Sequence, residues 1–270
     1  MLIAWLAGVF GLLIGSFLNV CIYRLPRDLS VVTPRSFCPA CRSTIAWYDN
    51  VPLLSYVVLR GRCRRCQAPI PIQYPLVELF TGICFFAAFW RFPLYWPAAK
   101  ICVFSAISIA LIAADFKDRI LPEEFTLGGI FCGLAFAVFA PLRDPILDAL
   151  PIRGAHLLSL SESALAAVIG GGILWLIGAL YKSIRRREGL GLGDVFLMAM
   201  VGSFLGLDGA LLTLLIGSIL GSVTGLAYIL VTRKDSATYQ LPFGSFLGIG
   251  ALVVAFFGAA IVTWYSGLSR

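Results

Sequence analysis

Apolar residues dominate this chain in long blocks with few charges inside them, separated by short polar stretches and one long one. About 20 mostly apolar residues make a helix long enough to cross a bilayer. Eight segments approach that length: 2–23, 75–90, 97–114, 123–141, 162–181, 194–207, 209–232 and 244–266. The pattern therefore predicts an all-α integral membrane protein of about eight transmembrane helices, the sixth of them short and Gly-rich. The first segment lacks a basic stretch before it and a small-residue cleavage site after it, so it is expected to be a retained helix. The polar stretch 24–74 divides the chain into a first helix (1–23), a soluble insert (24–74) and a membrane domain (75–270).

Composition narrows the choice. With 60% apolar and 13% charged residues, the chain is too apolar for a soluble domain. Its net charge of +7 would suit nucleic acid, but the cations fall where membrane topology would put them. If 24–74 is cytoplasmic, the inner side holds Arg24, Arg27, Arg35, Arg42, Arg60, Arg62, Arg64 and Arg65. It also holds Lys117, Arg119, Lys182, Arg185, Arg186, Arg187, Arg233 and Lys234. Only Arg91, Lys100, Arg143, Arg153 and Arg270 remain for the outer side. The positive-inside bias thus places both termini outside, accounts for the Arg185–Arg187 run as an anchor, and leaves little for nucleic-acid binding to explain.

The insert is too short to bury a sizeable core unaided. It contains Cys38-Pro-Ala-Cys41 and Cys63-Arg-Arg-Cys66. Each pair can supply two corners of a tetrahedron, so the four thiolates are expected to hold a structural Zn2+. Arg62, Arg64 and Arg65 beside them would favour thiolates. The competing readings are disulfides, disfavoured in a reducing cytoplasm, and unligated thiols. Cys21, Cys84, Cys102 and Cys132 lie in apolar helices without such spacing and read as small core residues.

Among the acids, Asp115 closes the run Ile101–Ala114, and Asp194 opens the sixth segment within Gly191-Leu192-Gly193-Asp194. The topology puts both at the cytoplasmic boundary. Two carboxyls sharing one proton can hydrolyse an amide, one activating water and the other polarising the carbonyl. Gly191 and Gly193 would let a peptide backbone approach. Taken singly, Asp115 also reads as an interfacial residue balanced by Lys117 or Arg119, and Asp194 as a helix N-cap. Asp118 reads as solvated or ion-paired. Glu123 and Glu124 fit first-turn positions after Pro122, and Glu78 would face the insert or a polar ligand. His156 is expected in an outer loop, without partners for nucleophilic catalysis, and Gly244-Ser245 reads as helix packing or capping.

Several motifs in order resemble the type IV prepilin peptidases, the leader peptidase/N-methyltransferases of pilus and type II secretion systems. They are Gly15-Ser16-Phe17-Leu18-Asn19-Val20-Cys21-Ile22-Tyr23-Arg24-Leu25-Pro26, both cysteine pairs, Pro69-Ile70-Pro71-Ile72-Gln73-Tyr74-Pro75-Leu76-Val77-Glu78, the Asp115 segment and the G-x-G-D segment. The resemblance implies an enzyme of the bacterial inner membrane with its active site facing the cytoplasm. Its substrates would be prepilins or pseudopilins, cleaved after a glycine to release a short basic leader. The new N-terminal residue would then be methylated from S-adenosylmethionine. Asp115 and Asp194 match the family's catalytic pair, and the cysteine insert goes with methyl transfer. Glu123 departs from the family, which often has Asp after that proline. Gly61, Tyr74 and Glu78 are the residues taken here to hold the methyl donor. The rival readings are a peptidase without methyl transfer and a proton-coupled transporter, which would favour acids at the midplane of matching halves.

Overall fold

A computed structural model describes residues 1–92, 94–141, 155–186, 189–232 and 241–268. Arg187, Arg233 and Lys234, counted above among the inner cations, lie outside the described residues. Among those described, the chain is helical, with only isolated strand-like bridges in the insert. The helices are α1 (Leu2–Arg24), α2 (Leu54–Val58), α3 (Gln73–Arg91), α4 (Tyr95–Asp118), α5 (Glu123–Phe139), α6 (Ala155–Arg185), α7 (Leu192–Thr232) and α8 (Phe243–Leu268). Six of them, α1, α3, α4, α6, α7 and α8, are long and apolar enough to cross a membrane. Two differences account for the departure from eight. Helix α5 has 17 residues and sits at the lower edge of spanning length. The sixth and seventh predicted segments follow one another within α7 as two helices that meet at a kink at Gly206.

The chain divides into two compact units, Met1–Ala114 and Asp115–Arg270. In the first, α1 packs along α3. Glycines on the facing stripe of α1 bring the backbones together: a Cβ at Gly15 would stand 2.6 Å from Cα of Glu78. Close approach through small residues is how helices associate where lipid removes the hydrophobic drive. Asn19 pins the same pair by donating to the Tyr74 carbonyl at 3.0 Å. The outer face of α1 exposes Leu2, Trp5, Phe10 and Leu13. A stripe of this size suits contact with acyl chains rather than water.

In the second unit α6 packs on α7, α7 on α8, and α5 on both α6 and α7. Gly206 interrupts α7 with φ 77° and ψ −177°, one residue before the end predicted for the sixth segment. Only glycine occupies that backbone region without strain. Breaking a helix in hydrocarbon strands carbonyls that neighbouring Ser or Thr can satisfy. Ser163 of α6, fully buried, donates its hydroxyl to the Ser203 carbonyl at 2.7 Å, just before the break.

Helix α6 starts earlier than predicted, which moves His156 from the expected loop into the first turn, where Nδ1 meets the Val138 carbonyl at 2.8 Å. Ser159 in the same stretch donates to Ala137. These polar contacts extend α6 through a segment too polar to be recognised as membrane helix. Glu162, which opens the predicted segment, is buried there at 1% exposure.

The break gives a stability prediction. Gly206→Ala should cost about 1–3 kcal/mol, since the added Cβ cannot sit at this φ and ψ without strain. Gly172→Ala on α6, where an added Cβ meets nothing within 4 Å, should be neutral or slightly stabilising. Thermal unfolding in detergent compares the two, and equal effects would contradict the account of the break.

Candidate active site and metal centre

Asp115 occupies the last turn of α4, and the helix stops at Arg119, which turns left-handed at φ 57°. Asp194 lies in the first turn of α7, its N–H donating to the Gly191 carbonyl at 3.2 Å. Consecutive residues at the start of α8 meet the two acids. Ser245 donates its N–H and its Oγ–H to Oδ2 of Asp115, each at 2.6 Å. A Cβ at Gly244 would come within 3.0 Å of Oδ1 of Asp194. Three helix ends far apart in sequence therefore converge, with both carboxyls against the first residues of α8. Asp115 is 6% exposed, whereas Asp194 is only partly buried. Phe116 packs edge-on to Phe246 at 6.3 Å, holding the end of α4 to α8.

The glycines of the Asp194 loop serve packing. A Cβ at Gly193 would press on Leu121 at 3.0 Å, while Gly191 lies exposed beside Asp194. Glu123 and Glu124 occupy the first turn of α5 as expected. The role of Ser245 was missed: a helix N-cap in sequence looks the same whether it caps its own helix or receives a distant carboxylate.

In the insert, the two cysteine pairs form matching hairpins. The bridge Phe37 to Thr44 brackets Cys38 and Cys41, and the bridge Arg62 to Pro69 brackets Cys63 and Cys66. Each turn closes with a left-handed residue after its second cysteine, Arg42 and Gln67, whose N–H returns to the carbonyl of the first. All four sulfurs lie within 4.8 Å of one another, with Cys38 and Cys66 at 3.8 Å. A tetrahedral site with Zn–S bonds of about 2.3 Å needs sulfurs about 3.8 Å apart, so the set fits a metal ion. The hydroxyl and backbone of Ser43 push the Cys41 thiol down to about 6. Backbone donors from Cys66 and Arg65 lower Cys63. The Ala68 N–H also pulls on Cys66, but burial and the three neighbouring sulfurs outweigh it and raise that thiol to about 11. A cation at the centre would remove this crowding of charge. Arg64 turns away from the sulfurs, forming a two-pronged bond with Asp49 at 2.6 and 2.7 Å that holds the Asp49 carboxyl below its usual range.

The candidate methyl-donor residues separate into different settings. Gly61 is left-handed at φ 67° beside the Tyr56 ring. Tyr74 offers its carbonyl to Asn19. Glu78, 9% exposed, accepts the Leu53 N–H at 2.8 Å and so anchors the start of α2 to α3. None of the three lines the cavity of about 320 Å3 bounded by Arg24, Arg35, Trp47 and Asn50. Arg24 there is buried and donates to the carbonyls of Ser30 and Pro34 at 2.8 and 2.7 Å, which fixes the start of the insert.

Two family models match the chain: the bacterial peptidase A24 N-terminal domain over residues 9–92 and the type IV leader peptidase family over residues 102–226. A prepilin leader peptidase/N-methyltransferase of Xanthomonas campestris is 34% identical, over 96% of this chain and 93% of its own length. The protein of the same name from Myxococcus xanthus is 39% identical over 84% of this chain, which spans 63% of that relative's length. A type 4 prepilin-like proteins leader peptide-processing enzyme of Escherichia coli is 35% identical, over 94% of both chains. No solved structure matches the chain. Matched in both its parts by these models, and over most of its length by such relatives, the chain belongs to the type IV leader peptidase family.

Proposed function

We propose that this multi-pass membrane protein cleaves the leader of prepilins or pseudopilins with Asp115 and Asp194, and then methylates the new N-terminus. The observation carrying the peptidase reading is the meeting of both acids at the start of α8, through Ser245 and Gly244. A shared-proton pair needs an oriented carboxylate and a carboxylic acid side by side. The first takes a proton from water as the water attacks; the second donates to the carbonyl oxygen. Asp115 is buried and held by two donors, which suits orientation, and Asp194 is reachable, which suits contact with an incoming peptide. The cytoplasmic face of the inner membrane is the side on which the basic residues place both acids.

Cys38, Cys41, Cys63 and Cys66 would hold Zn2+, which would close the insert around the two hairpins. The insert (24–74) is the part of the chain assigned to methylation. S-adenosylmethionine would supply the methyl group, and Gly61, Tyr74 and Glu78 remain the proposed contacts, although Glu78 already bonds to Leu53. What the chain contributes to that step is proximity, since the donor is already activated.

Three outcomes are expected. Asp115→Asn or Asp194→Asn should each lower cleavage of a prepilin by at least about 1,000-fold in reconstituted membranes, because an amide cannot exchange the shared proton. Asp118→Asn should stay within a few-fold of wild type. Cleavage by a folded Asp194→Asn enzyme at the wild-type rate would falsify the pair. Metal analysis of detergent-purified protein should find one zinc per chain, and Cys38→Ser should lose it together with protease resistance of residues 24–74; full activity in both reactions without metal would reject the site. Finally, Asp194→Asn should still methylate mature pilin supplied already cleaved, and failure of a well-folded variant to do so would mean that the two reactions share one site.

A further inference from the structure

Oδ2 of Asp115 receives two donors from one residue, at 2.6 Å each, in a buried setting. Donors this short on a carboxylate oxygen are charge-assisted. They also occupy the positions at which that oxygen would carry a proton. One donor is the N–H of the third residue of α8, among the backbone groups that a helix leaves without an internal acceptor. The N-terminal end of α8 further favours a negative charge there. Asp194 is set differently: the backbone of Gly191 in its own loop meets its carboxyl, its Oδ1 lies against Gly244, and its side chain is partly exposed. The two acids of the site are therefore held unequally.

We propose that Ser245 is a positioning residue of the cleavage reaction, holding Asp115 as the ionised base and leaving the shared proton on Asp194. This rests on the reading of Asp115 and Asp194 as the catalytic pair. As water attacks, the new C–O bond forms, one water proton passes to Asp115, and the Asp194 proton passes to the carbonyl oxygen. On collapse the C–N bond breaks. The leaving nitrogen takes the proton from Asp115, one hydroxyl proton of the intermediate returns to Asp194, and both residues end as they began. Ser245 keeps its own proton throughout and acts through Asp115. Gly244 has the complementary task of leaving room for Asp194, since a side chain there would also meet Leu121 at 2.9 Å.

The test compares Ser245→Ala and Ser245→Thr, purified as full-length protein and assayed for kcat and KM on a prepilin in detergent or liposomes. Alanine keeps the N–H and the volume but removes the Oγ–H, so kcat should fall about tenfold or more while KM stays within about twofold. Threonine restores the hydroxyl and should recover most of kcat. Equal thermal unfolding midpoints for wild type and Ser245→Ala would confirm that the loss is not one of folding. Wild-type kcat in Ser245→Ala would overturn the proposal. So would a threonine variant as slow as the alanine one, because the effect would then belong to packing. Asp115→Asn in the same assay separates the two readings: if it cleaves normally, the pair itself is wrong, and if it is dead while Ser245→Ala is normal, only the role of Ser245 falls.

Discussion

A carboxylate can be buried at the edge of a bilayer only if donors come with it, and the peptidase unit is organised by that condition at Asp115. An unpaired buried charge costs several kcal/mol. Here the compensation is brought by α8, whose start delivers a backbone N–H and a hydroxyl to one oxygen. That requirement fixes where α8 begins, why the end of α4 is sealed to it by Phe116 and Phe246, and why the residue before Ser245 has no side chain. Packing and chemistry thus constrain the same few residues.

The insert obeys a different condition. It is too short to bury a sizeable core unaided, and it is ordered by directed polar contacts. Arg24 gathers the carbonyls at its start, Glu78 holds the N–H of Leu53, and Arg64 clamps Asp49. The two cysteine hairpins repeat one backbone design, down to the left-handed residue after each second cysteine. Such duplication sets four sulfurs at tetrahedral spacing without help from a large hydrophobic cluster.

Much of this was legible beforehand, for physical reasons. Membrane helices announce themselves because every residue facing lipid must be apolar, and the paired C-x2-C spacing has few other uses. Asp115 and Asp194 stood out because charges at such depths are rare. What escaped reading depends on contacts across long sequence separations. Ser245 looked like an ordinary cap, since nothing local distinguishes a serine that serves its own helix from one that serves Asp115. Arg64 looked like a partner for thiolates, and it forms an ion pair with Asp49 at 2.6 Å. Helix α6 began before its predicted start because hydrogen bonds from His156 and Ser159 to the end of α5 compensate a polar stretch that hydropathy counts against a helix. The break in α7 was visible as a Gly-rich boundary.

The bond from Ser163 to the carbonyl of Ser203 reaches further than its own surroundings. Residues 194 to 203 form a short rod about 14 Å long, with Asp194 near one end and this bond at the other. Because the kink at Gly206 sets the rod apart from the rest of α7, its position is fixed along the seam with α6. Sliding the rod by one residue would tear the Ser203 carbonyl from the buried Ser163 hydroxyl, so the position of Asp194 is gauged from the far end of its own helix.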